Sequence, residues 1–161
     1  MRTDWQETPE DRAAELVVAE RFRDQTGAAS LERCEEGARM DYLIRWKGAV
    51  YGRTQLAWLE VKRVSKPKWE GRFRLKLQKW TEGIAWAKAT KARFMLLVAF
   101  ADRDLVYTYN EADVDDGFIQ PTVGAEASVS IPLELFRTPD AVRRRYAPPF
   151  PPTVERHARS G

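Results

Sequence analysis

Leu56-Ala57-Trp58-Leu59-Glu60-Val61-Lys62-Arg63-Val64 is the stretch on which the fold turns, and Met40-Asp41-Tyr42-Leu43-Ile44-Arg45-Trp46 is its companion upstream. Both read as strands, the first being the strongest strand signal in the chain. Alternate residues of a strand share a face, so Glu60 and Lys62 point the same way, while Leu59 and Val61 face or flank the core. Charged groups rarely go inside unless they are paired or bound to an ion. If the two strands pair as a hairpin about the glycine-bearing turn between them, Asp41 comes beside the far end of the second strand, near Glu60. Two carboxylates then converge, as a divalent metal requires. Lys62 stands beside them, able to orient a water or to stabilise charge developing on a phosphate.

A solvated strand face with an ion pair across it would also place Glu60 beside Lys62. Asp41, a preceding helix that carries Glu15 and a basic helix that follows favour an active site instead.

Composition narrows the chemistry. A chain of 161 residues, 43% hydrophobic, is long enough for one domain with a real core. The expected domain spans 1–147, and the Pro-rich stretch from Pro148 to Gly161 is expected to be an extended or disordered tail. No apolar run reaches the ~20 residues of a membrane helix, and Met1 to Glu7 lack a signal peptide's apolar region, so a cytoplasmic protein is expected. Cys34 is the only cysteine and His157, in the tail, the only histidine. A cysteine zinc site and histidine-based catalysis are therefore set aside, leaving carboxylates and a hard ion, Mg²⁺ or Mn²⁺.

Charge is unevenly placed. Lys62, Arg63, Lys66, Lys68, Arg72, Arg74, Lys76 and Lys79 are opposed over that stretch only by Glu70, whereas Asp102 to Asp116 is acidic. Such asymmetry suggests a side that binds a polyanion. Arg63, Lys66, Lys68, Trp69, Arg72, Arg74 and Lys79 are the candidate nucleic-acid contacts, with Trp69 placed to stack or wedge and Trp80 assigned to the core. An ordinary solvated loop and helix would have the same composition. Arg143-Arg144-Arg145 is open between a further phosphate contact and a helix end favoured by the dipole.

The remaining elements frame these residues. Thr8-Pro9-Glu10-Asp11 starts a helix that ends near Thr26, before Gly27. Ser30 to Glu35 is an irregular strand, Arg74 to Thr90 a helix, and Phe94 to Phe100 and Leu105 to Tyr109 two strands. Asn110 to Ser128 is loop-like. Val129 to Leu133 is an edge strand, and a short helix starts at Thr138-Pro139-Asp140. Helix, three strands, helix and two strands make an α/β domain with a mixed central sheet.

Asp41 followed by Glu60-Val61-Lys62, in this order of elements, resembles the PD-(D/E)XK nuclease superfamily over residues 15 to about 109. Met40 stands where Pro is usual in that motif. The resemblance implies a restriction-endonuclease-like fold and Mg²⁺-dependent hydrolysis of DNA. Asp41, Glu60 and the carbonyl of Val61 would hold the metal, Lys62 would position the water, and Glu15 would support a second ion or water, with Glu20 as the alternative. Gln78 would help hold the site, and Lys79 fits the same motif. Small members of the superfamily include junction resolvases, which act as homodimers, and repair or phage-type nucleases. A structure-selective or weakly sequence-specific endonuclease is therefore expected, with RNA as substrate left open. The rival is a nuclease-like module that binds nucleic acid or a partner without cutting.

Overall fold

In the computed structural model, residues 8–35, 37–50, 53–64 and 71–146 are described. Helix α1 (Pro9–Thr26) leads into strands β1 (Ser30–Arg33), β2 (Tyr42–Val50), β3 (Arg53–Arg63) and β4 (Arg72–Lys76). Helix α2 (Leu77–Thr90), strands β5 (Arg93–Ala99) and β6 (Asp104–Thr108), helix α3 (Glu111–Asp115), strands β7 (Gln120–Thr122) and β8 (Ser128–Pro132), a 3₁₀ turn (Leu133–Leu135) and helix α4 (Pro139–Tyr146) follow. The expected tail and residues 51 and 52 lie outside the described residues, as do Lys66, Lys68 and Trp69 of the basic stretch.

The local rules at the ends of α1 hold atom by atom. Thr8 accepts from the Asp11 N–H and donates its own N–H back to the Asp11 carboxylate, and Gly27 closes the helix at φ 71°. This left-handed turn is open to glycine at little cost.

The central sheet runs β1-β2-β3-β5-β6. β2 and β3 pair antiparallel with Tyr42 opposite Leu59, while β3 and β5 are parallel with Glu60 opposite Leu96. The parallel step is the crossover made through α2. One face, with Ile44, Trp46, Leu59, Val61, Met95 and Leu97, packs under α1 and α4. There Trp46 stacks on Tyr146 at 5.1 Å and donates its indole N–H to Thr26. The other face, with Phe94, Leu96, Val98 and Tyr107, packs against Trp80 and Ala87 of α2 and a second sheet.

That second sheet corrects two expectations. Residues 72–76 form strand β4, so the helix expected from Arg74 begins only at Leu77, and β8 is the middle strand of a sheet ordered β4-β8-β7 rather than an edge strand. Arg72-Phe73-Arg74-Leu75-Lys76 alternates polar and apolar, and only Phe73 and Leu75 are buried. That two-residue period runs straight into the helical period of α2, which hid the junction. The loop-like stretch after Asn110 holds α3 and β7.

Gly83 is the close contact between α2 and the sheet. A Cβ there would meet three ring atoms of Phe94 at 2.4, 2.5 and 2.7 Å, and Phe94 is only 1% exposed. The gain in helix propensity from alanine, about 1 kcal/mol, is outweighed by overpacking. Gly83→Ala is therefore expected to destabilise the fold by ~1–3 kcal/mol in urea titrations. Unchanged or raised stability would show that the ring can move aside.

Candidate active site

The register that builds the fold also builds the site. β2 begins opposite Leu59, so β3 from Glu60 to Arg63 runs on past the start of its neighbour, flanked only by β5 on the other side. Asp41, just before β2, fills the place where the ladder stops. Its N–H donates to the Leu59 carbonyl at 3.2 Å, and its Oδ2 accepts from the Val61 N–H at 2.8 Å. An aspartate side chain thus takes over the backbone position that the missing strand would occupy. The N–H and C=O of one strand residue point to the same side, so the Val61 carbonyl faces the same gap.

Glu60 is 1% exposed. Lys62 Nζ lies 3.2 Å from its Oε2, and Lys79 Nζ, from α2, lies 3.8 Å from its Oε1. Oε1 is buried and has no hydrogen-bond partner. Burial, and then the neighbouring Asp41 carboxylate, push the Glu60 carboxyl up to about 7, although Lys62 and Lys79 pull the other way. Burial opposes the charge on Lys62, but Glu60 foremost, then Asp41 and Glu15, outweigh it and raise its pKa. Lys62 therefore stays an ammonium at neutral pH.

Two hollows meet here. A cavity of about 160 Å³ is lined by Asp41, Glu15, Lys79, Arg12 and Arg33, with Cys34 in its wall. A larger cleft of about 700 Å³, between α1 and the ends of β3 and β5, is lined by Glu15, Lys62 and Arg63. Glu15 belongs to both walls and Glu20 to neither, because Glu15 shares the helix face of Val18, Ala19 and Phe22 that packs on the sheet. Arg21 anchors this side of α1 through two bonds to Asp104, at 2.6 and 2.9 Å.

Other candidates are placed differently. Gln78 is exposed and donates to Glu82, one turn on, while its neighbour Lys79 turns inward to Glu60 and to the Arg39 carbonyl at 3.1 Å. The two side chains are about 100° apart around the helix, so only one can face the sheet. Arg72 is directed into the protein, donating to Ser130 Oγ, the Ser130 carbonyl and the Phe118 carbonyl. It braces the second sheet. Phe73, between Arg72 and Arg74, is core. Arg63 and Arg74 are exposed, Arg63 beside the cleft. Arg12 and Arg33 were not singled out from the sequence. Arg12 lies three residues before Glu15, a helical spacing that could have revealed it.

The donors suit a hard divalent ion. Among the described residues no group of three or more His, Cys, Asp and Glu side chains gathers as a ligand set. Mg²⁺ needs no such group, since it is commonly held by one or two carboxylates with waters and substrate phosphate completing the shell. The Glu60 oxygen without a hydrogen bond, beside a second carboxylate, is the orphan acceptor that such an ion would satisfy.

Comparison with known proteins bears on the family and the fold. Residues 1–138 match the family model described as "phage putative PDDEXK endonuclease". No curated protein matches the chain. Among solved structures, a Holliday junction resolvase, Hjc of the archaeal hyperthermophile Archaeoglobus fulgidus, superposes with a TM-score of 0.53 at 11% identity, covering 80% of this chain and 98% of that one. The likeness establishes the restriction-endonuclease-like fold.

The raised Glu60 carboxyl has a consequence for stability. With its folded pKa above its unfolded value, the folded state binds the extra proton between pH ~4.5 and ~7. Stability is thus lost as pH rises through that window. In EDTA at pH 8, Glu60→Gln is expected to melt a few degrees above the wild type, and the gap should close towards pH 4.5. A variant that melts lower at pH 8 would mean that the ion pairs outweigh the burial.

Proposed function

The chain belongs to the phage PDDEXK endonuclease family, and from that premise we propose that it hydrolyses DNA phosphodiester bonds with Mg²⁺ or Mn²⁺, as a structure-selective or weakly sequence-specific endonuclease. The observation that carries this reading is the buried Glu60 carboxylate, one oxygen of which has no hydrogen bond, set against Asp41. A structural ion pair would be expected to satisfy both oxygens, since leaving one bare costs free energy. Asp41, Glu60 and the Val61 carbonyl would hold the ion. When bound, it would lower the pKa of a coordinated water and offset charge on the phosphate.

The chain's own groups supply the rest. The bond from the Val61 N–H fixes the Asp41 carboxylate in one orientation. Lys62, held protonated by Glu60, Asp41 and Glu15, serves as donor and fixed charge and not as a base. It positions the attacking water and stabilises the oxygens of the phosphate as their charge grows. Glu15, on the wall shared by both hollows, is placed to orient a second water. Lys79 steadies Glu60 from the helix side. Arg12, Arg33 and Arg63 line the approaches and would neutralise the backbone on either side of the scissile bond. The reading includes a homodimer, which sedimentation would check.

Plasmid, single-stranded and branched DNA, each incubated with Mg²⁺ or Mn²⁺, provide the test. Cutting is expected with either ion and should stop in EDTA. Asp41→Ala and Lys62→Ala should each slow it on the order of 100-fold or more. If the wild type cuts none of these substrates, or both variants cut as fast as it does, the assignment fails. Gel shifts without cutting would leave the binding module in its place.

A further inference from the structure

A second cationic hollow lies apart from this site. A groove of about 740 Å³ is walled by α4, the start of β5 and the turn after β6, and four arginines line it: Arg93, Arg137, Arg144 and Arg145. We propose that it is a second nucleic-acid contact that grips a phosphodiester backbone away from the cutting cleft; the choice of ligand rests on the nuclease reading.

The groove is separate from the cleft by construction. Arg93 begins β5, three residues before Leu96, which is level with Glu60. That is ~10 Å towards the opposite end of the sheet. Arg93 also shares strand parity with Met95 and Leu97, which lie under α1 and α4, whereas Leu96 lies with the core on the α2 side. The groove and the cleft therefore lie towards opposite ends of β5.

The four cations come from three segments, and this is what a helix-end effect does not explain. Basic residues in the last turn of α4 are favoured by the helix dipole. That accounts for Arg144 and Arg145 but not for Arg93, on a strand, or for Arg137, in the segment before α4. All four are exposed, and among the described residues none is in an ion pair. The backbone of Arg137 is fixed by two bonds to Val106, at 2.7 and 2.9 Å, and one of its guanidinium nitrogens donates to the carbonyls of Glu134 and Phe136. Arg145 lies over the Tyr146 ring, its Cζ 5.7 Å from the centroid.

Two carboxylates, Glu111 and Asp113, line the same groove. Asp113 is committed to the Tyr107 hydroxyl at 2.8 Å. Four guanidinium groups against two carboxylates leave a net positive hollow. Guanidinium forks match phosphate oxygens two at a time. A backbone held here while another part of the same molecule occupies the cleft would favour long DNA over short.

The test compares binding and cutting in the intact chain. Fluorescence anisotropy on a ~40-bp duplex in EDTA, across a salt series, is run for the wild type and for Arg93→Ala/Arg144→Ala/Arg145→Ala. Affinity should fall at least ~10-fold, and the slope of log K against log salt should shrink by about 2–3. Cutting of a ~10-bp duplex should not change. Arg143→Ala, on the same helix but outside the groove, should bind as the wild type does, and lysine at the three positions should keep the slope. Unchanged affinity and slope in a triple variant with native circular dichroism and melting temperature would overturn the proposal. So would an equal loss of affinity for polyglutamate of matched charge, which would mark a general polyanion surface. If the wild type cuts no DNA at all, the nuclease reading falls, while the binding comparison still decides the groove.

Discussion

A carboxylate is buried in the central strand of the sheet, and most of the molecule is arranged around that cost. Glu60 is 1% exposed, and taking an ion out of water costs several kcal/mol even after relaxation. Two ammonium groups, from Lys62 on the same strand and Lys79 on α2, offset part of it. Asp41 adds to it by bringing a second negative charge beside the first. Stability alone gives no reason for that addition. It is understandable if a cation belongs between them, because the arrangement that is costly in its absence is then the favourable one. The two cores on either side of the sheet supply the surplus that makes such strain tolerable.

The offset between β2 and β3 converts this cost into a site. Had β2 begun two residues earlier, a backbone carbonyl would have met the Val61 N–H, and no side chain would have been called to the edge of β3. Because it begins at Tyr42, the strand end is open on one side and supported on the other by β5 as far as Ala99. The site therefore stands on a rigid element with one exposed flank. α1 brings Glu15 to that flank from one face of the sheet, and α2 brings Lys79 from the other. Two helices on opposite faces thus bring the groups together, which explains why they are spread from residue 15 to residue 79.

Much of this was legible in the sequence, and the reasons differ by element. α1 could be read to the residue because its cap, its N1 proline and its terminal glycine are local signals. The nearness of Asp41 to Glu60 followed from strand parity and from a hairpin whose arms adjoin in sequence. The second sheet could not be read this way. It joins β4 to a strand more than fifty residues on, and nothing local in Arg72-Phe73-Arg74-Leu75-Lys76 names that partner. At the site, the choice between Gln78 and Lys79 depends on the rotation of α2. Leu77, the first residue of α2, is apolar yet 40% exposed, and burial falls on Trp80, Gly83 and Ala87. An alternating strand that runs directly into a helix blurs the phase of both.

Charge was the least faithful guide at the level of single residues. The basic stretch from Lys62 and the acidic stretch from Asp102 suggested a side that binds a polyanion. Within the first, Arg72 is turned into the protein as a brace. Within the second, Asp104 clamps α1 through Arg21, and Asp113 holds the Tyr107 hydroxyl. These two acids are thus structural, with partners inside the chain. What a cation does depends on the groups that it meets in space. By that measure the sequence run matters less than the meeting place: Lys62 and Lys79 flank one buried carboxylate, and arginines from β5, from the segment before α4 and from α4 itself converge on a groove that no run of sequence displays.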